Sequence, residues 1–398
     1  MRNTSIIVAI NLLLCCSAHG QSAKEQLAIV NSGDLAAKDF YEEITYEDRF
    51  GYLIVPVTIG NRDYEYIFDT GGYNTLTSEI MDSNQLTPAM EVQVGSSNQL
   101  KSRIALTKIP SLAVGNIEFT NVGAFNFDFE DSPQITCYTN GGLIGKSVIE
   151  KAVWQINAID KKISVTDDIG KLPHLDNAFR IRVSLDKTLN PFIKAKINGK
   201  TETFLLDFGY GGLLSLTEKT GRKYAAPNTV EIEGEGAVGA NGVVHETTYL
   251  TPLQRFSIGD AHIGRQVAYY AASNNYNLIG SELTKYFIVT LNFRDRELYL
   301  TPIAEAHLPD PVSTFGFDLN RNEGGMYVSK LFKGLSADQA GLKLNDTVLS
   351  VNDDALDGYP YCDFYLHIKR LFNEADEIRL GVKRENEVKI INVQRKPL

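Results

Sequence analysis

Tryptophan occurs once in this sequence, cysteine and methionine four times each and histidine six times. Each scarcity removes a class of chemistry. His245-Glu246 lacks a second histidine one helical turn on, where Tyr249 stands, so the pair is no zincin site. His174, His262, His307 and His367 are isolated. Cys15 and Cys16 lie in an N-terminal apolar run, which leaves Cys137 and Cys362. Neither has CxxC spacing, and one distant pair is not a disulfide framework. Burial tendencies favour two buried free thiols over a bridge. No metal and no cofactor is therefore expected. Basic charge is also scarce: 39 Lys and Arg against 49 Asp and Glu give a net charge of −10. Such a chain has no electrostatic reason to bind nucleic acid or anionic lipid. No apolar run reaches the roughly 20 residues that a membrane-spanning helix needs, so no transmembrane segment is expected.

What is present is ordinary globular composition, 43% apolar and 22% charged over 398 residues, enough for two or three domains with real cores. The N-terminus reads as an export signal over 1–20. Arg2 supplies positive charge, Ile6 to Cys16 is a short apolar stretch broken at Asn11, and Ala18-His19-Gly20 places small residues at a cleavage site. The mature chain is then expected to begin at Gln21, in a periplasm or outside the cell. A lipid anchor on Cys15 or Cys16 is disfavoured, because Leu14 and Cys15 are not the small residues that precede a lipidated cysteine.

Residues 21–44 are polar and mixed and read as a leader or short helix. The first strong pattern is Tyr52 to Asp69: strand, Gly60-Asn61 turn, strand, ending in Phe68-Asp69-Thr70-Gly71-Gly72. A carboxylate at the end of a buried strand is costly to ionise unless turn N–H groups solvate it. β-branched and glycine-rich segments continue to about 168, including Leu143-Ile144-Gly145 and Val153-Trp154-Gln155-Ile156-Asn157, where Trp154 reads as core. The pattern then repeats. Pro191 to Asp207 is the same hairpin, ending in Asp207-Phe208-Gly209, and Leu278-Ile279-Gly280 follows. Asp69 to Gly145 is 76 positions and Asp207 to Gly280 is 73.

Two β-rich halves, each delivering one carboxylate after an apolar strand, resemble the pepsin-like and retropepsin-like aspartic peptidases over about residues 45–305. The resemblance implies two duplicated β-barrel-like lobes, 45–168 and 169–305, with Asp69 and Asp207 as catalytic residues, Thr70, Gly71, Phe208 and Gly209 in support, and protein or peptide substrates. In that family a Thr or Ser follows each aspartate and ties the two loops together. Thr70 fits; Phe208 has no donor or acceptor on its side chain. Gly72 also stands where the family has a small polar residue or Ala.

After a Pro-rich linker around 301–314, the order Phe315-Gly316-Phe317, Ala340-Gly341-Leu342 and Asp346-Thr347-Val348-Leu349-Ser350-Val351-Asn352 resembles a PDZ domain of the bacterial protease-associated kind, spanning 306–398. The resemblance implies a small β-sandwich with helices. Phe315, Gly316 and Phe317 would bind the terminal carboxylate of a peptide added as a strand. The whole reads as a mostly β protein.

Two carboxylates about 4 Å apart at an effective dielectric of about 20 repel by about 4 kcal/mol. That separates their titrations by roughly three units, so one proton is shared over a wide pH range. Such a pair can activate a water against a peptide carbonyl. The expected activity is an aspartic-type endopeptidase; the alternative, prompted by Phe208, is a peptide-binding or scaffold protein without turnover. The glycine-bearing turns Val94-Gly95-Ser96-Ser97-Asn98 and 234–242 are candidate lids. The second also spells G-x-G-x-x-G, but Ala240-Asn241-Gly242 prolong a loop where a nucleotide site needs a helix. Asp207-Phe208-Gly209 spells a kinase magnesium motif without the His-Arg-Asp loop a kinase requires.

Overall fold

The computed structural model describes residues 2–3, 12–14, 21–96, 101–303, 312–385 and 387–398. Nearly all of the expected export signal lies outside these residues, as do Cys15, Cys16, Ser97, Asn98, His307, Pro309 and Pro311.

The chain is mostly β, and its strands follow from the apolar patterns. Tyr52–Ile59 and Arg62–Phe68 form an antiparallel hairpin with Ile54 opposite Ile67 and Ile59 opposite Arg62. Gly60 takes φ 62° in its two-residue turn, a conformation open to glycine that matches the twist of the strands. The strand Gly142–Ile144 lies parallel to the second arm, Leu143 beside Ile67 and Ile144 beside Phe68. A parallel neighbour covered on both faces needs a continuous apolar run, which Leu-Ile supplies. The arrangement recurs. Pro191–Ile197 and Lys200–Leu206 pair through a turn in which Asn198 and Gly199 both have positive φ. Leu278–Ile279 lies parallel to the second arm, Leu205 beside Leu278 and Leu206 beside Ile279.

A six-stranded sheet joins the two arrangements. Its order is Phe179–Arg182, Glu297–Pro302, Phe287–Asn292, Val153–Asn157, Lys162–Thr166, Tyr41–Thr45. The middle pair sets Trp154 opposite Leu291 and Ile156 opposite Val289, so the strand after each Leu-Ile-Gly meets its counterpart. Gln155 Nε2 donates across this seam to Thr290 Oγ1 at 3.0 Å. One core cluster runs through both halves and contains Phe68, Trp154, Leu206 and Phe208. The Trp154 ring packs 5.3 Å from Phe68, and its Nε1 donates to Ile149 O at 2.9 Å. The polar leader is not free of the fold: Gln21–Val30 is a helix, and Tyr41–Thr45 ends the central sheet.

The C-terminal segment pairs Phe317–Asn322, Gly325–Phe332, Thr347–Val351, Glu377–Arg384 and Glu387–Gln394 around the helix Tyr361–Glu374. That helix buries Phe364, Tyr365, Ile368 and Phe372, a spacing that keeps them on one face. The C-terminal segment is docked on the rest of the chain through a strand pairing and a disulfide, among other contacts. Gly325–Phe332 pairs antiparallel with Val230–Gly239, Glu233 opposite Leu331. Cys137 is bridged to Cys362, Cα to Cα 5.0 Å, across 225 positions. The expected free thiols are thereby corrected. Cys137 is buried and Cys362 half-buried; the helix docks beside Tyr138, whose ring lies 5.9 Å from Tyr365, and this brings the two sulfurs together. That docking is a tertiary event with no local signal in the sequence. Among the described residues no helix is long and apolar enough to cross a membrane.

Candidate functional site

The two hairpins deliver Asp69 and Asp207 in the same way. Asp69 N–H donates to Ile144 O and Asp207 N–H to Ile279 O, both at 2.9 Å, so each aspartate is fixed at the point where its strand leaves the parallel pair. Each carboxylate then turns back on its own loop. Asp69 Oδ1 accepts from Gly71 N at 2.8 Å and Gly72 N at 2.7 Å; Asp207 Oδ1 accepts from Gly209 N at 3.0 Å. Both aspartates are 0% exposed.

The loops are in contact. A methyl group on Gly209 would sit 2.5 Å from the Asp69 carboxyl carbon, and one on Gly72 would sit 2.2 Å from Asp69 Oδ2. Glycine at 209 is thus a requirement of the partner loop, not only of its own turn. Thr70 stitches the junction. Its Oγ1 donates to Leu206 O at 2.7 Å and accepts from Phe208 N at 3.0 Å. The position opposite has no hydroxyl to return the contact, so this tie is one-sided. Phe208 puts its ring into the core cluster and only its backbone into the junction, and Asp207 keeps its place beside Asp69.

Burial pushes Asp69 up to about 6. The Gly72 and Gly71 N–H groups, Asp207 as a hydrogen-bonding neighbour and the Lys146 charge all oppose the rise. Asp69 Oδ2 is buried and takes no direct hydrogen bond among the described residues. The pair therefore offers a buried, preorganised site with acceptor capacity left over, which suits proton exchange with a small polar group such as water.

Lys146 and Asn190 carry no motif, yet both belong to this site. Lys146 directly follows Leu143-Ile144-Gly145 and is 1% exposed. Its Nζ donates to Gly71 O at 3.3 Å and to Asn190 Oδ1, and it lies 3.9 Å above the centre of the Tyr73 ring. The sequence held one signal for it: the second Leu-Ile-Gly is followed by Ser281, so the repeat breaks symmetry at that position with a charge.

The candidate lids are hairpins with different surroundings. Met90–Ser96 pairs with the start of Lys101–Val114, Gly95 opposite Lys101, and its tip lies outside the described residues. The second, Val230–Gly239 with Gly242–His245, closes at Gly239 opposite Gly242. Its tip is buried, not an exposed turn. Ser132 Oγ donates to Gly239 O and accepts from Gly242 N, and Asn241 Nδ2 donates to Val94 O at 3.4 Å. The Ser132 contact was not visible in sequence, because it joins segments 107 positions apart.

Phe315, Gly316 and Phe317 form a separate group. Gly316 takes φ 83° and its N–H is used locally, donating to Thr314 Oγ1 at 3.0 Å. The Phe315 and Phe317 rings pack 5.5 and 5.1 Å from Phe372 of the C-terminal helix. Among the described residues there is no group of three or more His, Cys, Asp or Glu side chains arranged to hold a metal ion.

No curated protein matches the chain. Residues 55–148, which carry Asp69, the first Leu-Ile-Gly strand and Lys146, match the family model described as aspartyl protease, and this part of the chain is an aspartyl-protease-like domain.

Proposed function

We propose that the chain is an exported aspartic-type endopeptidase that uses a water held between Asp69 and Asp207. One observation carries the reading: two carboxylate loops from separate hairpins meet in a single buried space and are stitched through Thr70. With one proton on the pair, the ionised carboxylate takes a proton from the water as it attacks the peptide carbonyl. The protonated carboxyl hydrogen-bonds the developing oxyanion, and the proton taken from the water passes to the leaving nitrogen as the C–N bond breaks, so the pair again holds one proton. The Cys137–Cys362 bridge supports export, since such bonds persist in oxidising compartments. Residues 306–398 act in this reading as a PDZ-like domain that holds a peptide end and raises its concentration at the cleft to the order of millimolar.

The test is digestion of a mixed peptide library between about pH 3 and 8 by the mature chain, Asp69→Asn and Asp207→Asn. The expected outcome is cleavage by the wild type alone, with each substitution lowering turnover by at least about a thousandfold. Equal behaviour of all three proteins removes the peptidase reading. A second reading, peptide binding without turnover, is favoured by the full burial of both carboxylates and by the buried tip of the hairpin Val230–Gly239 with Gly242–His245. Substrate access must then move a packed hairpin. Retained peptide binding with no cleavage at any pH selects that alternative.

A further inference from the structure

We propose that Lys146 is a positioning residue of the carboxylate pair: its buried ammonium is the pair's counter-charge and the polar strut between the first aspartate loop and the second hairpin. The proposal rests on the reading of Asp69 and Asp207 as a proton-sharing pair.

The repeat supplies the argument. Lys146 follows Gly145 as Ser281 follows Gly280. Ser281 Oγ donates to Gly51 O, just before the first hairpin begins at Tyr52. Lys146 Nζ donates to Asn190 Oδ1, just before the second hairpin begins at Pro191. The two side chains therefore make the same joint in opposite halves. Ser281 makes it with a neutral hydroxyl, so a charge is not needed for the joint itself. Burying an ammonium is costly unless charges and acceptors offset it. What the lysine adds over serine is positive charge beside the aspartates, together with a second hydrogen bond to Gly71 O in the Asp69 loop. That bond lies on the side of the junction where Phe208 returns no hydroxyl to the Thr70 loop.

The groups facing Lys146 fit a counter-charge. Asp69, Asp207 and Asp186 act on it, and the Tyr73 ring lies against its Nζ. Asn190 relays the contact outward, its Nδ2 donating to Asp186 Oδ2 at 3.0 Å while Asp186 Oδ1 is held by Thr188 N and Asn190 N. Burial pushes Lys146 down to about 8, and Asp186, Asp69 and Asp207 pull it back up. Tyr210 also feels Asp207 and is kept neutral by burial. A pair that shares one proton carries a net negative charge in a buried space, and Lys146 balances it.

Carbon-13 NMR of aspartate carboxyls in the full chain tests this without any turnover. Asp69→Asn and Asp207→Asn assign the pair. Lys146→Met is expected to move the pair's titration up by about one unit, because a cation near a carboxylate favours its charged form. Lys146→Arg, which keeps the charge, is expected to stay near the wild type. The reciprocal reading, nitrogen-15 NMR of Lys146 Nζ in Asp69→Asn, is expected to show a downward shift and does not depend on Lys146→Met folding. Unchanged carboxyl titration in Lys146→Met, equal shifts in Met and Arg variants, or an unmoved Nζ titration in Asp69→Asn overturns the proposal. A chain that cleaves nothing but shows the coupling refutes the peptidase reading alone.

Discussion

At the scale of single residues, the site is governed by the cost of ionising a buried carboxyl. Asp69 in the folded chain binds its proton up to about pH 6, against 3.8 for an ordinary aspartate. An acid whose proton is held more tightly in the folded state stabilises the fold below its unfolded value. That contribution is lost as pH rises through the folded value. Asp318, buried on Phe317–Asn322, is pushed up to about 6 for the same reason, opposed by Lys369 and Lys330. The thermal midpoint is therefore expected to fall between about pH 4 and 6.5. Asp69→Asn should flatten part of that fall, worth on the order of 3 kcal/mol at full amplitude. Scanning calorimetry across this range checks it; an identical slope in Asp69→Asn contradicts the burial argument. Much of this chemistry was readable in advance. An apolar strand ending in Asp-x-Gly is a local pattern, and it marked Asp69 and Asp207, which the structure sets side by side. Lys146 carried only the break in the repeat after Leu-Ile-Gly, and its contact with Asn190 was not readable, because it joins the two halves and no local pattern encodes it.

At the scale of elements, two hairpins and two short parallel strands position the carboxylates, and one hydroxyl holds the junction. Thr70→Ala removes both hydrogen bonds and leaves the Leu206 carbonyl and the Phe208 N–H buried without that partner. At about 1–3 kcal/mol for each orphaned group, the denaturant midpoint should drop clearly. Thr70→Ser, which keeps the oxygen, should recover most of the loss. Equal midpoints for the two variants contradict the role given to the hydroxyl. The hairpins themselves were legible, since alternation, β-branched runs and two-residue turns with glycine are short-range signals. The burial of the tip between Val230–Gly239 and Gly242–His245 was not. Gly239-Ala240-Asn241-Gly242 has the composition of an exposed turn, and only its seat on Ser132 and Val94 shows otherwise.

At the scale of the whole molecule, the C-terminal segment is fastened to the rest by a covalent bond, a strand pairing and a buried polar cluster. Glu235 on Val230–Gly239 accepts from Asn320 Nδ2 at 3.1 Å and from Tyr327 OH at 2.5 Å. Lys330 Nζ donates to Gly236 O at 3.2 Å. The bridge closes a loop of 225 positions, for which the chain-entropy account gives roughly 5 kcal/mol. Cys362→Ser is expected to lower the unfolding temperature and to make it insensitive to reductant, while the wild type falls to the same value when reduced. No difference between oxidised and reduced wild type contradicts a stabilising bridge. The mostly β class was legible from composition and pattern. How the C-terminal strands join Val230–Gly239 was not, because that pairing depends on a tertiary docking.

The central claim is that Asp69 and Asp207, 138 positions apart in sequence, form one chemical unit. Its most direct test is the cleavage rate of the best library peptide by Asp69→Asn, Asp207→Asn and the double variant. Groups that act as a unit are not additive, so each single substitution should lose nearly as much kcat/KM as the double. Losses that multiply, or a single variant that keeps wild-type kcat/KM, contradict the claim.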